Sequence, residues 1–298
     1  MTILRGAVVA TGEAARIADD LEFAAQIGLE LVRLDVPWAV AQPRAGANDG
    51  AVFEQLLTAA TQARALGLAP WFRLLQPDVP HWFDDEGAFG DDRAASTWWP
   101  RWVELVADRL GDVAAGWVPF EAPVAMAARI EPDDPRRHGE LTVRLVLAWR
   151  DAWRILRGGP PVSTSIDVAG GAAADAWIGG LADGTLRLPG RAERPVADLA
   201  GACDVLGIAV RRDVEAALYR VGEIGPPRPL AVVVGPNGTT DTERAAEVSA
   251  MWRDVQRAAG ELDIVSVTAA RLLDGPEAHG LATADRRLTD TGEAFVGG

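Results

Sequence analysis

The 298 residues contain a single cysteine, Cys203. No intrachain disulfide can form, and no cysteine-based zinc cluster can be assembled. Its neighbours Ala202 and Val205 predict a small buried thiol rather than a nucleophile. Histidine is also scarce, since only His81, His138 and His279 occur and no two share a metal-binding spacing. No metal site is expected. Positive charge is both in deficit and dispersed: 29 Lys+Arg stand against 43 Asp+Glu, a formal net charge of −14. Sequence-independent contact with phosphate backbones needs clustered cations, so nucleic acid is not expected as a partner. No apolar run approaches the roughly 20 residues that span a bilayer. The start, MTILRGAVVATGEAARIADD, runs straight into acidic, helix-like sequence and lacks the pattern of a secretory signal. A soluble cytoplasmic protein is the expectation. Nucleotide fingerprints are missing too. GGAAADA (170–176) lacks the G-x-G-x-x-G order, and GPNG (235–238) lacks the lysine and serine of a phosphate loop. No cofactor is expected.

What the chain does have is an ordinary globular composition, 49% hydrophobic and 24% charged, which supports a sizeable core. Apolar runs of five to eight residues recur at 6–10, 30–36, 69–75, 114–121, 161–168, 203–210, 229–235 and 263–270. Helical periodicity fills most of the intervals, at 13–27, 51–66, 96–110, 139–157 and 240–259, with a further helix near the last residues. Strand–helix alternation implies parallel strands, and continuous Val/Ile/Leu runs imply strands buried on both faces. Eight such units predict one (β/α)8 TIM barrel over 1–298 with trimmed loops. A doubly wound sheet is the alternative architecture. The acidic loop FDDEGAFGDDR (83–93) fits no EF-hand spacing and reads as a solvated connection.

In a (β/α)8 barrel, the C-terminal ends of the strands carry the site. That rule selects Arg33, Asp35, Trp38, Gln76, Glu121, Asp167, Arg211, Asn237 and Glu277. Arg33 and Asp35 lie two apart on one strand and share a face, which also fits a buried ion pair that orders the barrel. Eleven tryptophans accompany one tyrosine, Tyr219. Trp98, Trp99, Trp102, Trp149 and Trp153 lie at helical spacings that suit packing against the barrel. Trp38, at a strand end, and then Trp82 are the candidates for ligand contact.

Several segments, in order, resemble family 1 glycoside hydrolases, the β-glucosidase type of retaining enzyme. ADDLEFAAQIGLELVRLDVPWAVAQP is similar to the family's helix and "YRFSISWPRIxP" strand, with Arg33 and Trp38 on its Arg and Trp. APWFRLLQPDVPHWF resembles the segment ending "HWDLPxxL", and WPRWVELVADRLGDVAAGWVPFEAP resembles "LGDxVxxW" followed by "TxNEP". CDVLGIAV, PLAVVVGPNG and RLLDGPEAHG are similar to "DFLGxNYY", "PxYITENG" and "SLLDNFEW". The resemblance implies a TIM barrel whose acid/base is the glutamate of "NEP" and whose nucleophile is the glutamate of "TENG". Aligned on Pro123, Ala122 falls on the acid/base and Glu121 on the preceding asparagine. Pro236 falls on the nucleophile and offers no attacking atom.

The sugar contacts implied by the resemblance are partly replaced. Gln76 stands for a histidine, Arg211 for a tyrosine, and Ala270 and Ala278 for the two late tryptophans, whereas Arg33, Trp38 and Glu277 are retained. Arg33, Asp35, Trp38, Gln76, Arg211, Asn237 and Glu277 are therefore the expected ligand contacts, with Glu121 as the one candidate catalytic residue. The expected function is a barrel that has lost retaining glycosidase activity. It binds a sugar, glycoside or other cyclic metabolite, or performs non-hydrolytic chemistry in the inherited pocket. The alternative is an O-glycosyl hydrolase that pairs a displaced Glu121 with another carboxylate, such as Asp35 or Glu277. A protein partner or a second copy of the chain stays open.

Overall fold

The computed structural model describes residues 3–11, 14–75, 79–275 and 279–298. Eight strands form one parallel sheet: β1 (Leu4–Val9), β2 (Leu31–Asp35), β3 (Ala69–Leu75), β4 (Gly116–Phe120), β5 (Ile166–Asp167), β6 (Leu206–Val210), β7 (Leu230–Val234) and β8 (Ile264–Ala269). Their order is β4-β3-β2-β1-β8-β7-β6-β5, so each strand lies beside its sequence neighbour and β1 lies beside β8. The remaining seam is closed just ahead of β5. The Trp117 amide donates to the Pro161 carbonyl at 2.9 Å, and the Ser163 amide donates to the Trp117 carbonyl at 2.8 Å. A sheet that returns on itself is a barrel, and the doubly wound alternative is excluded.

The intervening helices are α1 (Ala14–Gln26), α2 (Gly50–Ala65), α3 (Asp92–Leu110), α4 (Pro123–Ile130), α5 (Pro135–Leu156), α6 (Ala172–Asp183), α7 (Val214–Ile224), α8 (Asp241–Ala258) and α9 (Asp290–Gly297). Several of their starts carry side-chain caps. Asp91 accepts from the Ala94 amide at 2.8 Å ahead of α3. Thr240 and Glu243 form a reciprocal capping box on α8. The sequence reading omits α4, α6 and α7. The α6 segment, AAADAWIGGLAD, is apolar nearly all round and holds two adjacent glycines, so it shows no amphipathic stripe. It forms because Trp177, Ile178 and Leu181 are buried in the barrel's outer layer. The stripe of α7, Val214, Leu218 and Val221, is short and ends just before Pro226 and Pro227.

Strands β4 and β7 are buried along their whole length, as their apolar runs predict. Between the barrel and helices α3 and α5 lies a block of aromatic rings. Trp38 stacks on Trp102 with centroids 5.4 Å apart, and Trp99 stacks on Phe120 at 4.8 Å. Burying a large apolar side chain contributes about 2–3 kcal/mol relative to exposure. The indole N–H groups are satisfied in place: Trp99 donates to the Ala148 carbonyl, Trp102 to Leu74 and Trp149 to Ala202, each at 2.9 Å. Trp98 and Trp153 pack against the same core from its rim. The packing role expected for these five tryptophans is what the structure shows. Cys203 is buried, and burial pushes its thiol up to about 12. Among the described residues, no helix is long and apolar enough to cross a membrane.

Candidate functional site

The C-terminal ends of the strands surround a cavity of about 840 Å³. Its walls come from the end of β1 (Val8, Val9, Ala10), from Asp35, Arg73, Glu121 and Ala122, from Arg211 after β6, and from 270–275 after β8. The charged floor is built by strand register. Asp35 on β2 and Arg73 on β3 are direct neighbours across the sheet. Arg73 donates from Nε and Nη2 to the two carboxylate oxygens of Asp35, at 2.5 and 2.8 Å. This bidentate geometry is the strongest that a guanidinium and a carboxylate form. Arg73 Nη1 and Arg33 Nη1 each lie 3.5 Å from Glu121 Oε2, and Glu121 Oε1 accepts a 2.9 Å hydrogen bond from Ser165 Oγ. Burial lowers the Arg33 pKa, with Glu121 partly offsetting it and Arg73 adding repulsion. For Arg73 burial acts the same way, but Asp35 and Glu121 outweigh it and the pKa is raised.

Glu121 reaches this network through a break in the strand pattern. Gly116 and Val118 of β4 lie in register with Trp71 and Arg73 of β3 and share their inward face. Strict alternation would send Phe120 inward and Glu121 outward. Instead, Phe120 joins the aromatic block beside Trp99, and Glu121 turns toward Arg33 and Arg73. The change of face falls at Pro119, which has no N–H to hold the ladder, while the register with β3 runs on to Leu75 and Phe120. Next, Ala122 takes a left-handed φ of 45° while its amide donates to the Ser165 carbonyl at 2.8 Å. That conformation costs a non-glycine residue about 1–2 kcal/mol and turns the chain into α4. Asp167, at the end of β5, accepts from the Ala125 amide at 3.2 Å in the first turn of α4. Burial raises its pKa, and these helix amides partly offset the effect.

Of the residues expected at the site, Asp35, Glu121, Ala122 and Arg211 line the cavity. Arg33 lies beneath it, 2% exposed. Its expected pairing with Asp35 is corrected: Asp35 bonds Arg73, because cross-strand neighbours approach more closely than residues two apart along one strand. Trp38 is the larger correction. It is 0% exposed, donates to Gln42 Oε1 at 2.9 Å and is shielded by Trp82, Phe83, Trp99 and Trp102, so it presents no surface to a ligand. Trp82 donates to the Gln42 carbonyl and packs on Trp98, away from the cavity. Asn237 is exposed on the turn after β7, and its amide binds Glu247 Oε2 at 2.7 Å. Neither Asn237 nor Pro236 is among the lining residues. Gln76 and Glu277 lie outside the described residues.

Arg73 and Ser165 were not singled out by sequence. The signal for Arg73 was a charge inside the apolar run APWFRLL, on its inward parity. Also unforeseen were the cavity residues Arg16, Asp20, Arg129, Arg271 and Asp274. Asp20 is nearly buried and accepts from Arg286 Nε at 2.9 Å. Burial raises its pKa, with Arg286 opposing.

Compared by sequence, the chain matches no family model and no curated protein. Compared by structure, it is similar to the family 1 β-glucosidase of Exiguobacterium antarcticum B7, with 14% identity over 99% of this chain and 96% of that one and a TM-score of 0.82. It is equally similar to a β-glycosidase from Pyrococcus horikoshii, with 15% identity, coverage of 99% and 94%, and a TM-score of 0.82. The Thermotoga maritima β-glucosidase in complex with deoxynojirimycin matches with 12% identity, coverage of 98% and 96%, and a TM-score of 0.79. The chain thus has the (β/α)8 barrel fold of the family 1 β-glucosidases over nearly its whole length.

Proposed function

We propose that the cavity binds a sugar or glycoside-like ligand and does not cleave it by the retaining route, either holding the ligand or acting on it by non-hydrolytic chemistry. The observation that carries this reading is the clamp on Glu121. A retaining enzyme needs two carboxyl groups ~5–5.5 Å apart, one donating a proton to the leaving oxygen and one attacking the anomeric carbon. Glu121 is already engaged by Arg33, Arg73 and Ser165, and Asp35 is held at both oxygens by Arg73. These carboxylates serve as counter-ions within the barrel. Ala122, on the acid/base position of the resemblance, lines the cavity with a methyl group. Pro236, on the nucleophile position, has no group to attack with. The sugar class is supported by fold-mates such as the Thermotoga maritima enzyme, whose complex holds deoxynojirimycin.

One observation favours the alternative, an O-glycosyl hydrolase using displaced carboxylates. Glu121 turns into the cavity after Pro119 and shares it with Asp35. Dinitrophenyl β-glycosides separate the two readings, because their leaving group needs no acid assistance. Binding without turnover, with or without added azide, is the expected result. Turnover that is abolished in Glu121→Gln, or that azide restores in the wild type, would establish the hydrolase instead.

A further inference from the structure

We propose that the ligand of this cavity is acidic, a polyhydroxylated ring bearing a carboxylate or phosphate, and that Arg16, Arg129, Arg211 and Arg271 receive the charged group. The proposal rests on the sugar-site reading above and names the class of sugar. Arg16 lies in the first turn of α1, Arg129 in the last turn of α4, Arg211 directly after β6 and Arg271 directly after β8. All four line the same cavity, and among the described residues none forms a salt bridge, the nearest to one being the attraction between Arg16 and Asp20. Most of the acids that line the cavity are already committed: Asp35 to Arg73, Glu121 to Arg33 and Arg73, and Asp20 to Arg286. Asp274, the remaining one, accepts from the Gly280 amide at 2.8 Å and lies 3.7 Å from His279.

The mouth is thus locally positive in a chain whose formal net charge is −14. The chain contains no lysine, so every basic side chain is an arginine and the residue type carries no information. The placement does. Guanidiniums from four separate segments, without a salt bridge among the described residues, converge on one concavity, where low-dielectric walls focus their field and raise the local concentration of an anion. Each offers the planar donor fork that fits a carboxylate or phosphate. What the cavity lacks points the same way. Among the described residues no tryptophan, tyrosine or phenylalanine lines it, so a neutral sugar ring would find no aromatic face to stack on. Recognition must then come from charge and hydrogen bonds.

Calorimetric titration of the full chain with four probes tests this. The probes are methyl β-D-glucoside, methyl β-D-glucuronide, glucose 6-phosphate and inorganic phosphate. At least one acidic sugar is expected to bind about tenfold or more tighter than the glucoside, with the advantage lost in 0.5 M salt. The glucuronide and phosphate arms tell which anion is preferred. In Arg129→Gln/Arg211→Gln/Arg271→Gln the advantage should fall by about fivefold or more. Arg211→Gln alone, at an exposed position, serves if the triple variant does not fold. Equal affinity for the glucoside and both acidic sugars would overturn the acidic-ligand assignment and leave the sugar site standing. Inorganic phosphate binding as tightly as glucose 6-phosphate would keep the anion site and overturn the sugar reading. Absence of binding by all four would overturn both.

Discussion

Arg33 and Arg73 are both enclosed by the barrel, yet they are satisfied very differently. Arg73 forms two short bonds to Asp35, whereas among the described residues Arg33 Nε and Nη1 have no hydrogen-bond partner and Arg33 meets Glu121 only at 3.5 Å. Removing one member of a well-bonded buried pair costs about 3–5 kcal/mol because the other charge is stranded. Removing a poorly bonded charge costs less. Arg73→Met is therefore expected to lose about 3 kcal/mol or more in urea unfolding and Arg33→Met under about 1.5 kcal/mol. Equal losses would show that the bidentate pair is not what stabilises the floor. At this scale the sequence was a partial guide. Arg33, Asp35 and Glu121 were visible as charges at strand ends, but their pairing was not. Partner choice depends on the alignment of β2 with β3, and on a change of side-chain face at Pro119 that period-2 reasoning cannot place.

The strand–helix units impose their own tests. At β6, a Cβ on Gly207 would come 1.9 Å from the Thr164 carbonyl oxygen, a backbone atom that cannot swing aside. Gly207→Ala is expected to destabilise by about 3 kcal/mol, at or above the usual range for overpacking, with a lowered Tm as the readout. Ala at Gly179, where a Cβ meets nothing within 4 Å, is the control and should leave Tm unchanged or raised. Between β5 and α4, Asp167 has its pKa raised by burial, so the folded state holds the proton more tightly than the unfolded chain. Its contribution disfavours folding above the folded-state pKa, and that penalty fades as pH falls toward the ordinary aspartate value. Asp167→Asn keeps an oxygen for the Ala125 amide and removes the titration. The variant's stability relative to wild type should therefore be more favourable at pH 7 than near pH 4, by chemical denaturation at both. The reverse trend would contradict the burial argument. Elements were the most legible level in the sequence. Most strands were marked by continuous apolar runs, because strands covered on both faces need them, and β5 was the weakest, since Ser163, Thr164 and Ser165 break its segment. Helix α6 was hidden for the opposite reason, having no polar face to give it a period.

For the molecule as a whole, strand order and closure follow from strand–helix alternation, which leaves few ways to bury eight parallel strands. Cavity chemistry is a different kind of property. Arg16 and Arg271 are 255 positions apart along the chain and meet only because β1 and β8 are neighbours. No local pattern could announce that meeting.

The aromatic block has an optical consequence. Trp38, Trp99, Trp102, Trp117, Trp149 and Trp177 are fully buried, and no tryptophan lines the cavity among the described residues. Intrinsic emission should thus be blue-shifted in the native protein and move strongly to the red in denaturant. Saturating the cavity with the proposed ligand should leave the spectrum nearly unchanged. A large ligand-induced shift would mean that binding disturbs the core or places the ligand elsewhere. The protein's own fluorophores then record whether it is folded while staying silent about what it holds.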